Sequence, residues 1–307
     1  MERADLSVMR VDRYSIFVTC IIRMSVGIVG FRTQEVNAVA RELKRANISV
    51  SILSPTSIMK TEHYNSFDLL YVMADLVERP RLLDTKRSRA TQTAEFYDRC
   101  KLYSENVWPD VALNLLVASK AYAKDLTAFM LSDTTYVDST AEPFTTTGCA
   151  QIRIKPGFHS DGRGHRVVTA EQLKKESVMH GSIVQPNLND FIEYKFPVLN
   201  GSLVRYTKHL DALANYEICE QFAEEVLPAV KRSIFAMCSE PTAWRLDIGF
   251  SDTHGPFINE IETVGASYQV TTAATNQKIN FVPTMAKCVA SHIVKTLTTG
   301  DACRCVG

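Results

Sequence analysis

Apolar positions in the first hundred residues follow two alternating rhythms. Residues 16–22 form an apolar, β-branched run (Ile16, Val18, Thr19, Ile21, Ile22), which predicts a buried strand. Gly27 and Gly30 read as the turn after it. Over residues 33–45 the side chains Val36, Val39, Ala40 and Leu43 recur at helical spacing. Residues 48–53 form a second apolar strand, ended by Ser54-Pro55, and residues 67–73 a third. Strand, helix, strand in this order predicts a parallel sheet covered by helices.

The pattern then changes. Residues 110–132 read as helix, with Val111, Leu115, Val117 and Ala118 followed by Leu126, Phe129 and Met130. Residues 140–150 are loop-like, and from 151 strand patterns dominate: 151–155, 166–168, 182–185 and 193–199. Asn200-Gly201 between two apolar pairs is a strong hairpin signal. A helix over residues 213–239 precedes strands at 243–250 and 256–261, joined by a turn at 251–255, and a last helix covers 283–298. The chain is therefore expected to be α/β, with an α+β second part and no internal repeat.

Composition narrows the class. The chain has 307 residues and is 46% hydrophobic, enough for a sizeable core and more than one structural unit. Lysine plus arginine (34) balance aspartate plus glutamate (34), which argues against a nucleic-acid or anionic-membrane partner. The densest basic run, Arg79, Arg81, Lys86, Arg87 and Arg89, reads as a solvated face. The apolar stretch 14–31 is interrupted by Arg23 and is a poor membrane span or signal peptide. Eight scattered cysteines without a C-x-x-C pair fit reduced thiols, so a cytoplasmic location is expected.

The candidate chemistry begins at a glycine-rich segment, Ser160-Asp161-Gly162-Arg163-Gly164, set between two predicted strands. Its backbone N–H groups can approach phosphate oxygens, but an ordinary hairpin has the same residues. No G-K-[ST] follows, so it is not a Walker loop. A second feature is more pointed. Asp247 lies on the strand Trp244-Arg245-Leu246-Asp247, and Glu260 and Glu262 share one face of the next strand. If the strands pair, three carboxylates converge, an arrangement costly to bury without a cation. Magnesium takes oxygen ligands and bridges carboxylates to nucleotide phosphates.

Taken in order, Lys124, Lys155, the small-residue loop, Gln185-Pro186-Asn187-Leu188, Glu193, Arg205 and the Asp247/Glu260/Glu262 set form a series. It resembles the ATP-grasp superfamily, in the branch of glutathione synthetases, ribosomal-protein glutamate ligases and D-alanine–D-alanine ligases, over about residues 110–268. The resemblance implies an ATP-grasp fold with a Rossmann-like N-terminal domain (1–109) that contacts substrate. An ATP-grasp domain (110–307) follows, with a lid at about 140–190 and a catalytic part at about 191–307.

The same resemblance implies roles. Lys124 and Lys155 hold the α- and β-phosphates, and Ser160, Gly162 and Gly164 close over them. Gln185, Asn187 and Leu188 form the adenine hinge, and Glu193 accepts from the ribose. Asp247, Glu260 and Glu262 ligate magnesium, while Arg205 and Arg245, with Lys155, steady the transferring phosphoryl group. Lys195 has a lesser claim as the cation two residues after the ribose acid. Two residues depart from the family pattern: Gln185 replaces the usual hinge glutamate, and Glu262 the usual asparagine of E-x-N. His159 and His165 flank the loop, as phosphate contacts or solvent-facing side chains.

The implied activity is an ATP- and magnesium-dependent ligase joining a carboxylate to an amine or thiol through an acyl phosphate, with ADP and phosphate released. Its partners would be small carboxylate and amine substrates or a peptide terminus, and a homodimer is the base-rate oligomer. A kinase of the same fold acting on a hydroxyl, or a nucleotide-binding protein without turnover, would carry much the same ATP half.

Overall fold

The computed structural model describes residues 24–31, 33–60, 66–74, 88–138, 150–158, 164–175, 178–188, 191–205, 215–236, 238–263, 266–271 and 278–299. The expected strand at 16–22 and most of the basic run lie outside them.

Parallel pairing begins at β1 (Ser25–Val29), flanked by β2 (Ser49–Leu53) and β3 (Leu69–Val72); β4 (Val107–Trp108) completes the order β2-β1-β3-β4. Strands buried on both faces need apolar residues throughout, as in Val26, Ile28, Val29 and Leu70. Gly27 is not a turn residue. It sits inside β1, where a Cβ would lie 2.5 Å from Leu70 Cδ1, so glycine is there for close packing. Helix α1 (Gln34–Arg45) starts at Thr33, whose hydroxyl accepts from the Val36 N–H, and α2 (Pro55–Lys60) follows β2. Helix α3 (Arg89–Lys101) covers the other face of the sheet through Phe96, Tyr97 and Cys100.

The helix expected over 110–132 is shorter. Helix α4 spans Val111–Ala118, and Lys120 then turns left-handed at φ 58°. Two 3-10 turns, Ala121–Lys124 and Thr127–Phe129, carry the chain onward. They keep Tyr122, Leu126 and Met130 buried at near-helical spacing, which is why the apolar rhythm does not register the break.

Strands β5 (Thr135–Tyr136), β6 (Ile152–Lys155), β7 (Arg166–Val168) and β8 (Ile183–Pro186) make an antiparallel sheet in the order β5-β8-β6-β7. The short α5 (Ala170–Leu173), closed by a Thr169–Gln172 capping box, seals its core with Leu173. A second antiparallel sheet runs β10-β9-β11-β12, from β9 (Ile192–Leu199), β10 (Ser202–Leu203), β11 (Ala243–Ser251) and β12 (Gly255–Glu262). Asn200 and Gly201 both have positive φ (49° and 76°), the geometry a two-residue hairpin requires. Helix α6 (Tyr216–Ile234) packs Cys219, Ala223, Val226 and Val230 beneath this sheet.

After a small β13–β14 pair (Gln269–Thr271 with Lys278–Asn280), α7 (Val282–Thr299) returns to the first sheet. Its Met285, Ala286, Val289 and Ile293 share one core with Val26, Ile28, Val36 and Leu43. No helix among the described residues is long and apolar enough to cross a membrane.

Candidate active site

Strands β11 and β12 pair so that Asp247 faces Glu260 and Arg245 faces Glu262. Alternation then turns all four toward one side, and the three carboxylates converge with ligand atoms within 4.8 Å of one another. All nine residues of β11 are buried, so Asp247, at 1% exposure, has to be paired. Arg245 supplies a fork: Nε to Asp247 Oδ1 at 2.6 Å and Nη2 to Oδ2 at 2.8 Å. The same guanidinium reaches Glu262 at 2.8 Å and donates to the Ser267 carbonyl at 2.7 Å. Arg245 is thus the organiser of the acidic face.

Neighbouring elements add three cations. Lys195, opposite Asp247 on β9, lies 3.8 Å from Asp247 and 3.3 Å from Glu193. Lys120, buried, makes an ion pair with Glu260. Lys155, buried at the end of β6, donates to Asn259 Oδ1 at 2.8 Å, and Asn259 Nδ2 donates to Glu193 Oε1 at 2.6 Å. Asn259 joins this side because of a register shift: Asp247 pairs with Glu260 but Ile248 with Ile258, leaving Asn259 as the extra residue of a bulge.

These contacts set the charges. Burial pushes the Lys155 ammonium down to about 8, assisted by the positive charge of Lys120 and opposed by Glu260. Burial works against the charge on Lys120 too, but Tyr122 and Glu260 outweigh it and hold the lysine above its ordinary value. Glu262 keeps a third of its side chain exposed, yet burial of the carboxyl, with Asp247 and Glu260 adding to it against Arg245, pushes it up to about 7. His165 is lowered to about 4, first by burial and then by Lys155, so it is a neutral imidazole at ordinary pH.

The structure brings together Lys155, Glu193, Arg245, Asp247, Glu260 and Glu262, and leaves two cations elsewhere. Lys124 is 65% exposed and bound to Asp138 at 2.9 Å, because the chain leaves the helix at Ser119 and turns at Lys120. Lys120 is the lysine at the acids. Arg205 follows β10 and is drawn to Glu224 on α6 at 2.6 Å, with 64% of its side chain exposed. Gln185 is buried on β8, and Leu188 is half-buried. The Asn187 side chain accepts from Arg153 at 3.0 Å and donates to Gln151 at 3.1 Å. Ser160 and Gly162 lie outside the described residues; Gly164 has φ +79°, a conformation that favours glycine. Two residues were invisible to sequence reasoning, Lys120 and Asn259, since a left-handed lysine and a bulge have no pattern of their own.

No protein-family model matches the sequence, and no curated protein matches it. Solved structures do resemble the fold. D-cycloserine synthetase DcsG aligns with a TM-score of 0.63 at 12% identity, covering 88% of this chain and 99% of that one. D-alanine–D-alanine ligase from Bacillus anthracis, complexed with ATP, gives 0.51 at 12% identity over 90% and 98%. The ATP-grasp ligase PsnB, complexed with a minimal precursor, gives 0.53 at 12% identity over 89% and 99%. At such identities the likeness is one of fold.

Proposed function

The chain has the ATP-grasp fold, and on that premise we propose that it is an ATP- and magnesium-dependent ligase joining a carboxylate to an amine. The observation that carries this reading is the convergence of Asp247, Glu260 and Glu262 within 4.8 Å, ringed by Arg245, Lys120, Lys195 and Lys155. Three oxygen donors together suit magnesium, and the surrounding cations suit the triphosphate it accompanies. Asp247, Glu260 and Glu262 are the residues that would hold the metal. When bound, it would neutralise charge on the transferring phosphoryl group.

The chain's own residues do the rest. Lys155 and Lys120 provide point charges for phosphate oxygens, and Lys120 is released to them when Glu260 changes partner. Asn259 positions Lys155 and ties it to Glu193, the ribose acceptor of this reading. Gln185, Asn187 and Leu188 receive adenine. Arg245 holds Asp247 in a two-point ion pair and presents guanidinium charge where phosphate oxygens accumulate. A substrate carboxylate takes the γ-phosphoryl group, ADP leaves, and the amine displaces phosphate from the acyl phosphate, so one ATP yields ADP, phosphate and an amide. Residues 1–109 are the substrate-contacting domain and 110–307 the ATP-binding one. The substrates are a small carboxylate and an amine, or a peptide terminus, and the setting is the cytoplasm, in keeping with free Cys100, Cys219, Cys238 and Cys288.

The test is a panel of carboxylates and amines assayed together for ADP and inorganic phosphate. Equimolar release of both, dependent on carboxylate and amine, supports the ligase. ADP without free phosphate identifies a kinase, and no substrate-dependent ADP across the panel counts against catalysis.

A further inference from the structure

Each acid of the candidate metal face has a cation of the chain's own against it. Arg245 takes two: it forks onto Asp247 at 2.6 and 2.8 Å and reaches Glu262 at 2.8 Å. Glu260 is taken by Lys120, which comes from a different element, the turn after α4. With Glu193, Lys195 and Lys155 counted in, four carboxylates and four cations share this side, and their formal charges cancel. A bare dication added to such a balanced, half-buried set would bring two positive charges with no anion to meet them.

Lys120 is not free to step aside. Its side chain is 5% exposed, and the turn that carries it is fixed on both sides. The Lys120 N–H donates to the Val117 carbonyl at 3.0 Å, and the Lys120 carbonyl accepts from the Ala123 N–H at 3.0 Å. Two residues on, the buried Tyr122 hydroxyl accepts from the Ile261 N–H at 3.4 Å, which docks the same turn beside Glu260 on β12. An enclosed ammonium keeps its charge only against an anion. Lys120 can therefore leave Glu260 only for another anion delivered to the same place.

We propose that Lys120 is an internal counter-ion that decides which form of metal the acids accept: it holds Glu260 against free divalent cations and yields it to a cation that arrives with a polyphosphate. The polyphosphate takes the ammonium while Glu260 takes the cation, so the two exchanges are coupled and neither is favourable alone. This rests on the assignment of the metal to Asp247, Glu260 and Glu262, and goes beyond it in giving Lys120 a function in the nucleotide-free protein.

The experiment uses the full chain stripped of divalent cations, without nucleotide, and manganese as the probe. Manganese takes the same octahedral oxygen set as magnesium and is read directly by electron paramagnetic resonance. Lys120→Gln keeps a donor for Glu260 and removes the charge; Lys120→Met removes both. Each should bind free manganese at least about tenfold tighter than the parent. Lys120→Arg, which keeps the charge, should stay like the parent, and so should Lys124→Met, whose lysine pairs with Asp138. Lys155→Met removes an equal charge that is held on Asn259 rather than on an acid, and should gain less than either Lys120 variant. Equal gains in the Lys120 and Lys155 variants would reduce the effect to the general field of the site and overturn the proposal. Parent-like manganese affinity in both Lys120→Gln and Lys120→Met would do the same. Thermal melts on the same samples check folding: Lys120→Gln carries the test if Lys120→Met does not fold, and failure of both would make Lys120 a structural ion and overturn its selective role. Calorimetric titration of ATP–magnesium on the parent separates this from the ligase reading. Nucleotide binding in the parent with no manganese gain in the variants overturns this inference alone. A manganese gain beside a parent that does not bind ATP–magnesium upholds the counter-ion and overturns the ligase reading instead.

Discussion

Lys120 and Glu260 stand 140 residues apart and meet as an ion pair, with only 5% of the lysine side chain exposed. The left-handed turn at Lys120 makes the meeting possible: a continued helix would carry the side chain around its own axis, whereas φ 58° ends the helix and aims the residue at β12. The pair links the segment after α4 to the acidic face. It also holds Glu260 in place without a metal.

Lys120 and Lys124 should therefore behave differently. Lys120→Met is expected to lower kcat/KM for ATP by about 100-fold or more, on the order of 3 kcal/mol of transition-state stabilisation. Lys124→Ala, which breaks only an exposed contact with Asp138, should stay within about twofold, as surface ion pairs contribute little. Steady-state kinetics on the two variants decides it. Equal losses would return Lys124 to the site and remove the reading of Lys120.

Lys155 makes a prediction about pH. Its ammonium is lowered to about 8 from the usual 10.5, chiefly by burial. The unfolded chain therefore holds more protons between about 8 and 10.5, and the lysine's contribution to apo stability should rise with pH across that window. Nucleotide affinity should move the other way, weakening above about pH 8 as the positive charge is lost. Calorimetric titration of ATP–magnesium from pH 7 to 10 would show this, with the decline absent in Lys155→Arg. A flat profile in the parent protein would contradict the assigned charge.

Glu262 has the opposite sense. With its carboxyl raised to about 7 from 4.5, the folded protein holds the extra proton between those values, so this residue's contribution to stability falls as pH rises from 4.5 to 7. Glu262→Asn removes the crowded charge, and at pH 8 the apo protein should melt at the same temperature or higher. Fluorimetric melts and magnesium titrations on one preparation test both sides, because the half-saturating magnesium concentration should increase. A variant that melts much lower at pH 8 would show that Glu262 is a structural partner of Arg245 and little else.

How far the sequence reached follows from these residues. Alternation along two strands was enough to gather Asp247, Glu260 and Glu262, because period two holds wherever the ladder is regular. It failed at Asn259, because a bulge is invisible to that period. The helical rhythm of 110–132 hid the break at Lys120, since the 3-10 turns bury nearly the same positions as a helix. Gly27 looked like a turn because a glycine inside a strand is read from its neighbour across the sheet, here Leu70. Arg205 was placed by order along the chain, and order does not say which helix an exposed side chain will meet.

Asn259 gives the sharpest remaining test. Its amide spans Lys155 and Glu193, accepting from one at 2.8 Å and donating to the other at 2.6 Å, while the three carboxylates are arranged independently of it by Arg245 and Lys120. Replacing it with alanine leaves the bulge backbone and the acids in place but frees both ends of the bridge. Lys155 then loses its orientation and Glu193 one of its hydrogen bonds. Nucleotide affinity should weaken by about tenfold, the scale of one hydrogen bond to a charged group, about 1.5 kcal/mol. Magnesium dependence at saturating nucleotide should be unaltered, because no proposed metal ligand is touched. Asn259→Asp tests the polarity of the bridge: it keeps the acceptor for Lys155 but loses the donor to Glu193 and sets two carboxylates against each other. It should therefore bind nucleotide less well than the parent. Nucleotide and magnesium titrations on both variants separate this from a collapse of the whole site, in which the two affinities would fall together. A parent-like nucleotide affinity in Asn259→Ala would remove the bridge from the site.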